Sequence, residues 1–460
     1  MTNTTITGRE KTSILVVATL TNFIIPFLVS SISVALPRMT VHFHMEAVAM
    51  TWVNTLYFLV LAMVQVPMGR LADIYGRKKI FLTGMVVSVV AAVGGGLAPS
   101  VPLLLVTRVL QGIGTGMAGN TIIALLTSVF PAETRGRALG IAMAGTYGGL
   151  IFGSLIGGIL TDLYGWQSIF FFSAVLSTLA LALSLFTLKG EWAGSKGEKF
   201  DVSGTALFAV SIALFMYGFS SLLTIVGIVC LVVGIGGFVW LIRKELRTAS
   251  PVLDFRLFKD NHVFLFSNLA TLDNYLATYA LTFLLSLYLQ FIQGFSPEKA
   301  GLIMIASTVP MMVFAPIAGR VSDKLEPRLV ASAGLLLNSI ALVLFIFLNN
   351  DSRLWYIILA LVVYGTGIGL FSSPNTNAIM GSVDKKVLGA VSGTVGTMRN
   401  IGMMLSLGIM MVLFSAFIGS AEITPPFYPQ FLTSARVGFA IFAGLCLMGV
   451  FSQFAARKKA

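Results

Sequence analysis

Long apolar stretches separated by short polar segments dominate the pattern of this chain. Each stretch holds roughly 20 residues or more, the length that an α-helix needs to cross the hydrocarbon core of a bilayer. A segment in lipid must satisfy its backbone N–H and C=O groups internally, so these stretches are predicted to be helices of an all-α polytopic membrane protein. The pattern places fourteen spans, at residues 13–36, 49–70, 79–98, 102–128, 138–161, 166–188, 203–221, 223–243, 261–289, 300–318, 328–348, 354–380, 389–418 and 432–454.

The seventh and eighth spans come from one apolar segment between Phe200 and Lys244. As a single helix with a rise of 1.5 Å per residue, this segment would be about 60 Å long, roughly twice the thickness of a bilayer core. We therefore predict a hairpin that turns near the sequence GFSSLL at 218–223.

Positive charge is distributed unevenly between the two sides of the predicted spans. The chain has a net charge of +12, although only 10% of its residues are charged and 57% are hydrophobic. With the N-terminus on the cytoplasmic side, 24 Lys and Arg residues fall on that side and 4 on the other. This bias follows the positive-inside rule and predicts a multi-pass protein of the cell membrane with both termini in the cytoplasm. The charge therefore requires no nucleic-acid partner.

Soluble-enzyme chemistry has little support in the sequence. Cys230 and Cys446 lie in apolar stretches, and the three histidines have no neighbouring ligands at metal-binding spacing, so neither a disulfide framework nor a metal site is expected. There is no Walker A pattern, and the GIGTG sequence lacks the strand-turn-helix context of a dinucleotide loop. We expect no enzyme activity and no cofactor.

Three sequence patterns occur twice in the chain. GRLADIYGRKK at 69–79 and GRVSDKLEPR at 319–328 share Gly, Arg and Asp at an offset of 250. Two further pairs are GIGTG with GTGIG, at 112–116 and 365–369 with an offset of 253, and Leu139–Gly140 with Leu388–Gly389, at an offset of 249. The repeats predict two six-helix halves, at 1–190 and 261–460, with two helices inserted at 191–260. Parallel repeats of this kind are typical of alternating-access transporters with a site between the halves.

The motifs resemble those of the major facilitator superfamily. GRLADIYGRKK matches its loop motif G-x-L-A-D-x-x-G-R-K/R-K/R, and RVLQGIGTG at 108–116 matches its fourth-span motif R-x-x-Q-G-x-G. FDVSG at 200–204 and SPVLDFRLFKD at 250–260 resemble the edges of the insertion in the fourteen-helix drug:proton antiporters. The resemblance implies a major facilitator fold with two six-helix bundles plus two central helices.

Two positions depart from the exporters of that subgroup. The span-five signature G-x8-G-x3-G-P-x2-G-G has Ser154 in place of its proline, although all its glycines are present. These glycines are Gly140, Gly149, Gly153, Gly157 and Gly158. In span one, Leu28 occupies the position nine residues before Pro37, where the exporters usually carry an aspartate. The resemblance still favours export, but the cation or proton chemistry of that aspartate must be performed elsewhere or be absent.

Asp273 and Arg399 are predicted near the middle of spans nine and thirteen. Charges inside spans are costly and mark functional candidates. In the major facilitator fold these two helices are neighbours, so an Asp273–Arg399 ion pair is expected. A carboxylate whose partner changes between conformations can take up and release a proton, whereas a permanent pair would only stabilise the second half; both interpretations stay open.

Other polar residues in the spans are candidates for proton coupling or for the substrate cavity. The resemblance makes Arg108, with Gln111 one turn further on, part of proton transfer or of charge compensation for the substrate; the alternative is a structural hydrogen-bond donor. Asn54, Asn120 and Asn274 lie in spans that could line a cavity, but such residues also join neighbouring helices.

The charged stretch at 69–79 is predicted to form a gate on the cytoplasmic side. Its motif residues are Gly69, Asp73, Gly76, Arg77 and Lys78, and Asp323 is the equivalent of Asp73 in the second half. Helices that begin on this side present positive N-terminal ends to it. We therefore expect Asp73 to contact the start of span thirteen and Asp323 the start of span five.

These patterns predict a secondary transporter that exports small amphipathic compounds or drugs in exchange for protons, and that functions as a monomer in the lipid bilayer. A metabolite or organic-anion carrier of the same superfamily is the alternative, and a non-transporting sensor on the same fold is the third hypothesis. The identity of the substrate cannot be read from the motifs, because cavity side chains set specificity within a shared fold.

Overall fold

The computed structural model describes residues 8–43, 47–188, 190–222, 224–248, 250–295, 297–418 and 425–455. Within these residues, 14 helices are long and apolar enough to cross a membrane, which confirms the predicted number of spans. The helices are α1 (Gly8–Phe43), α2 (Ala47–Tyr75), α3 (Arg77–Gly96), α4 (Val101–Val129), α5 (Ala132–Tyr164), α6 (Gln167–Thr187), α7 (Val202–Ser220), α8 (Ile225–Glu245), α9 (Arg256–Asp260), α10 (His262–Leu287), α11 (Pro297–Ser322), α12 (Pro327–Ile346), α13 (Leu354–Gly381), α14 (Leu388–Phe417) and α15 (Tyr428–Ala455). Only α9 is too short to span a bilayer.

The predicted hairpin at the centre of the chain is present as α7 and α8. The Asp201 side chain caps α7 by accepting a hydrogen bond from the Gly204 N–H, and the Thr224 side chain caps α8 in the same way through Gly227. Capping side chains satisfy N–H groups that a helix start leaves free, so polar residues at these two positions define where each helix begins.

The two six-helix sets repeat one arrangement. In the first set, α1 packs against α5 and α6, α4 packs against α2 and α3, and α3 packs against α6. In the second set, α10 packs against α14 and α15, α13 packs against α11 and α12, and α12 packs against α15. The equivalent helices therefore make equivalent contacts, although the domain boundaries at 190 and 260 stay a prediction.

Close glycine contacts give the register of the repeat. A Cβ added to Gly114 would lie 2.6 Å from the Ser88 hydroxyl, and one added to Gly367 would lie 2.2 Å from the Asn338 side-chain oxygen. The helix pair α3–α4 thus meets at the same positions as α12–α13, with offsets of 250 for the first helix and 253 for the second. Small residues at these points let the helix axes approach closely.

The predicted offset of 249 between spans five and thirteen is wrong by one helical turn. Gly389 packs against Gly69, and Gly136 packs against Gly319, which is the equivalent of Gly69. Gly136 and Gly389 are therefore the equivalent pair, at the same offset of 253 that relates α4 to α13. The Leu-Gly match one turn further along is a coincidence in two glycine-rich helices.

The inserted helices cover one of the two seams between the six-helix sets. Phe208, Ile212 and Met216 of α7 pack with Ala62 and Val66 of α2 in one apolar cluster, and α7 also contacts α14. Helix α8 lies outside α7 and exposes apolar side chains along its length, as a lipid-facing helix does. The insertion therefore makes the α2–α14 seam different from the α5–α11 seam.

Candidate functional site

Asp73 joins the two helix sets at one end of the molecule. Its carboxylate accepts hydrogen bonds from the N–H groups of Gly389 (2.9 Å) and Ala390 (3.0 Å) at the start of α14, and it pairs with Arg77 at 2.7 Å. The side chain is fully buried, and Arg77 also donates to the Lys385 carbonyl oxygen at 2.6 Å. The expected contact of Asp73 with the start of span thirteen is present. A carboxylate at a helix N-terminus satisfies free N–H groups and interacts favourably with the helix dipole.

Asp323 makes the corresponding contact on the second seam. Its two oxygens accept hydrogen bonds from the N–H groups of Gly136 (2.6 Å) and Arg137 (2.8 Å) at the start of α5, as expected. Arg135 donates to the Asn377 side chain at 2.8 Å beside it. Burial raises the pKa of the Asp323 carboxyl, while the two N–H donors and the positive charge of Arg135 act against that rise. Unlike Asp73, Asp323 is only partly buried.

We call the end of the molecule that carries these contacts the basic face, defined by the α2–α3, α4–α5, α11–α12 and α13–α14 connections. The two seam contacts of Asp73 and Asp323, with their neighbouring glycines, are named the latch. A Cβ on Gly69 would lie 2.1 Å from the Gly389 carbonyl oxygen, and a Cβ on Gly319 would lie 2.1 Å from that of Gly136. The backbones of the two sets thus touch on both seams, which only glycine permits.

A linker segment at 190–198 reinforces the Asp73 seam. Its Trp192 carbonyl accepts from the Arg77 N–H at 2.9 Å, and its Ser195 N–H donates to the Asp73 carbonyl at 2.9 Å. Glu191 caps α3 by accepting from the Lys78 N–H at 2.9 Å. The motif residue Gly76 has a φ of +115° and lies against Glu191, so only glycine fits this turn.

Polar side chains from both helix sets meet between the basic face and the middle of the helices. The Tyr147 hydroxyl of α5 and the Ser372 hydroxyl of α13 are 2.8 Å apart. Asn120 of α4 donates to the Gln65 carbonyl oxygen at 3.2 Å, and Asn400 of α14 approaches the Gln65 side chain at 3.4 Å. These contacts join the two sets on both seams, α5 to α13 on one and α2 to α14 on the other.

Arg399 precedes Asn400 on α14 and is half-buried. Its guanidinium carbon lies 6.0 Å from the centre of the Tyr275 ring. It takes part in none of the ion pairs that the described residues form. A cation placed over an aromatic face without a carboxylate is available to a ligand that carries negative charge or a π-system.

The expected Asp273–Arg399 ion pair is absent. Asp273 points away from Arg399, toward Ser452 and Gly449 of α15, and Leu335 of α12 packs on the same Gly449. Asp273 and Tyr275 are two residues apart on α10, which puts them about 200° apart around the helix axis. Because Arg399 lies on the Tyr275 side of α10, it is out of reach of Asp273.

Arg108 and Gln111 lie together inside the first six-helix set, in a cavity of about 20 Å³. Arg108 is 1% exposed, and its guanidinium carbon is 4.9 Å from the centre of the Phe170 ring. The Arg108 Nε and Nη2 atoms and the Gln111 Oε1 atom have no hydrogen-bond partner. The cavity is lined by residues of α1, α2, α3, α4 and α6, and Leu28 is one of them.

The remaining candidates occupy separate places. Asn274 is fully buried in the second set and accepts a hydrogen bond from Asn338 at 2.9 Å, while Asn54 approaches Ser33 at 3.4 Å far from the basic face. The seven residues predicted for coupling and substrate binding therefore do not form one cluster. Tyr147 and Asn400 were not predicted, since nothing in their local sequence sets them apart from lipid-facing or packing residues.

The span-five glycines divide between two neighbours. Gly149 and Gly153 pack on backbone atoms of Phe23 and Phe27 in α1, and Gly157 packs on Ser31. The other two differ, since Gly140 packs on the Ala315 carbonyl oxygen of α11 and Gly158 has only an ordinary contact 3.8 Å away. Ser154, which replaces the motif proline, forms a 2.7 Å hydrogen bond with Ser30 of α1. The signature glycines thus let α5 pack closely against α1 and against α11 of the opposite set.

Two six-helix sets related by an internal repeat and joined by a latch at one face define a membrane transporter rather than an enzyme. The sequence profile described as Major Facilitator Superfamily matches residues 18–407 and 268–458 of this chain. The chain belongs to the Major Facilitator Superfamily.

Relatives that carry names include exporters and a vitamin transporter. The Multidrug resistance protein Stp of Mycobacterium tuberculosis (strain CDC 1551 / Oshkosh) is 30% identical over 404 residues, which cover 86% of this chain and 74% of Stp. The Riboflavin transporter RibZ of Clostridioides difficile (strain 630) is 27% identical over 424 residues, 92% of each chain. The Tetracenomycin C resistance and export protein of Streptomyces glaucescens is 26% identical over 396 residues, 84% of this chain and 73% of that protein.

Solved structures confirm the fold. The human organic anion transporter MFSD10 (TETRAN) superimposes with a TM-score of 0.71 at 16% identity, covering 96% of this chain and 99% of that chain. The proton:xylose symporter XylE, bound to 6-bromo-6-deoxy-D-glucose, superimposes with a TM-score of 0.67 at 15% identity, covering 96% and 94%. At this identity the likeness concerns the fold alone.

Proposed function

We propose that this transporter exports small amphipathic compounds across the cytoplasmic membrane by alternating access, in exchange for protons. The observation that carries the proposal is the latch, which closes both seams at the basic face with charged hydrogen bonds and glycine contacts. Relatives named for multidrug resistance and for tetracenomycin export support the direction of transport. The positive-inside rule supports a cytoplasmic location for the basic face and for both termini.

The closed latch defines one of two states that the proposal requires. With the basic face in the cytoplasm, the state described here is closed toward the cytoplasm, and its substrate would leave through the opposite face. The other state requires Asp73 and Asp323 to leave the helix starts, which opens the basic face to substrate from inside. Only a few hydrogen bonds on two seams hold the latch closed. In the open state the two carboxylates and the N–H groups of the helix starts bond to water instead, so the change between the states is reversible.

Arg399 supports a second candidate function, a carrier of organic anions or of metabolites. The guanidinium and the rings of Tyr275 and Tyr147 suit an aromatic anion or an electron-rich neutral ring better than a cation. The named riboflavin transporter among the relatives supports a flat aromatic substrate. The two candidates differ in the substrate charge that the site at Arg399 prefers, and the substitution of Arg399 distinguishes them.

Arg399→Gln should lower the uptake of riboflavin and of anionic fluorescein into inverted vesicles about 10- to 100-fold, since a hydrogen bond to a charged group contributes about 1.5–3 kcal/mol. Arg399→Lys should keep part of the activity. Transport of cationic ethidium should stay unchanged or rise in both variants. Arg38→Gln, at a side chain that is 70% exposed, serves as the control. Equal loss for all three dyes would contradict a role of Arg399 in choosing charge.

Proton exchange is proposed to depend on Asp273, the carboxylate placed in the middle of α10. Asp273→Asn should abolish substrate-driven pH change in proteoliposomes and leave downhill substrate exchange measurable, because Asn cannot release a proton. Asp162→Asn, whose side chain is 71% exposed, is the control. Undiminished proton movement in Asp273→Asn would exclude this residue from coupling, and absence of any substrate flux in the unaltered protein would favour the sensor hypothesis.

A further inference from the structure

The cavity beside Arg108 contains an uncompensated positive charge. An arginine guanidinium stays protonated in proteins, and Arg108 is 1% exposed. Two of its three nitrogens have no hydrogen-bond partner, and neither Asp nor Glu is among the described residues that line the cavity. The nearby Phe170 ring offers only a weak cation–π contact. A buried charge without a partner costs several kcal/mol, so the site needs a compensating group.

The second six-helix set shows that the fold itself does not require this charge. By the register of the repeat, the equivalent of Arg108 is the buried Leu361, and that of Gln111 is Tyr364. The Tyr364 hydroxyl donates to the carbonyl oxygen of Thr278 on α10, the helix equivalent to α1, at 3.2 Å. In the second set, the neutral aromatic side chain of Tyr364 thus occupies the space that in the first set is a cavity beside the charge of Arg108.

Size restricts what the cavity can hold. A volume of about 20 Å³ admits one water molecule or one ion of similar size, because a cavity needs about 10–15 Å³ to hold a water. Sites that bury whole organic ligands are larger, about 300–1,000 Å³. The choice therefore lies between water, which would leave the charge of Arg108 uncompensated, and a small monovalent anion.

The lining provides donors for an anion. Besides the free Arg108 nitrogens, the Ser88 hydroxyl has no partner, and Ser173 and Ser177 of α6 also line the cavity. The orientation of the Gln111 amide is interchangeable, so that its NH₂ group can take the place of the unpartnered oxygen and donate as well. Donors from three helices thus surround one small volume with a positive charge at its wall.

We propose that this cavity is a halide site that binds one chloride against Arg108. The ion neutralises the guanidinium and joins α3, α4 and α6 of the first six-helix set. The site predicts that a carboxylate introduced on the facing wall would replace the ion. Leu28 lines the cavity from α1 and is 5% exposed, which makes it the position for that replacement.

The test compares the thermal unfolding of the full-length protein in detergent at constant ionic strength, in chloride, bromide or gluconate. Gluconate is too large for the cavity. The unaltered protein should unfold about 2–5 °C higher in saturating chloride or bromide, as expected for a ligand that binds only the folded state. Arg108→Gln and Leu28→Asp should each abolish the difference between halide and gluconate. Leu28→Asn, which has the same size but no charge, should retain it.

Radioactive chloride binding completes the test. The unaltered protein and Leu28→Asn should bind about one chloride per chain, and Arg108→Gln should bind none, whether or not Leu28→Asp folds. An equal unfolding temperature in all three salts, together with no bound chloride in the unaltered protein, would overturn the proposal and leave water as the occupant. A halide effect that persists in Arg108→Gln would place the ion elsewhere and would overturn it as well.

Discussion

Asp73→Asn should open the basic face. The substitution removes the charge that pairs with Arg77 and weakens the hydrogen bonds to Gly389 and Ala390. Because Asp73 is fully buried, we expect a cost of about 2–4 kcal/mol to the closed latch, which shifts the population of the two states about 30- to 1,000-fold. Net transport should fall at least tenfold, although the affinity for substrate should be unchanged.

Spin labels at Lys79 and Lys324 would measure this shift, since both side chains are exposed on the basic face and belong to different helix sets. Asp73→Asn should lengthen the distance between the labels. Asp323→Asn should also lengthen the distance, but by less. Asp323 is only partly buried and takes part in none of the ion pairs that the described residues form. An unchanged distance distribution in Asp73→Asn would refute the role of the latch.

Gly319→Ala should disrupt the second seam by steric overlap rather than by loss of charge. The added Cβ would lie 2.1 Å from the Gly136 carbonyl oxygen, and neither backbone can move without separating α11 from α5. Overpacking of this kind costs about 1–3 kcal/mol or more, which exceeds the helix-propensity gain of up to about 1 kcal/mol from Gly to Ala. We expect transport to fall at least tenfold and the label distance at the basic face to increase.

Gly301→Ala is the matched control for this substitution. It lies on the same helix, α11, and its added Cβ meets nothing within 4 Å. It should leave transport unchanged and raise the unfolding temperature slightly, since alanine stabilises a helix relative to glycine. If Gly319→Ala behaves like Gly301→Ala, the close backbone contact of the two sets has no role in the transport cycle.

The two contacts of the latch could be predicted from the sequence. The motif copies at 69–79 and 319–328 led to the prediction that Asp73 and Asp323 contact helix starts in the opposite set, and both contacts are present. That inference needed only the direction of each helix, which follows from counting spans. The linker at 190–198 was not predicted, because its backbone contacts with Arg77 and Asp73 depend on no side-chain pattern.

The substrate and coupling residues were predicted less well for a related reason. Asp273 and Arg399 were predicted at a common depth, but depth is only one of two coordinates on a helix. The second coordinate is the direction around the axis, and it puts Asp273 toward α12 and α15 and Arg399 toward Tyr275. Arg108 was recognised as a candidate, whereas its confinement to a water-sized cavity became visible only in the packed structure.

The sequence by itself determined the fourteen helices, the repeat and the family, because hydrophobic length and glycine motifs are local properties that a bilayer converts directly into spans. Tertiary structure alone decided the offset of 253 between α5 and α14, the absence of the Asp273–Arg399 pair and the cavity at Arg108. These features depend on how each helix is rotated and shifted against its neighbours. Close packing of small and large side chains sets that rotation, and it is a property of the whole assembly rather than of any one segment.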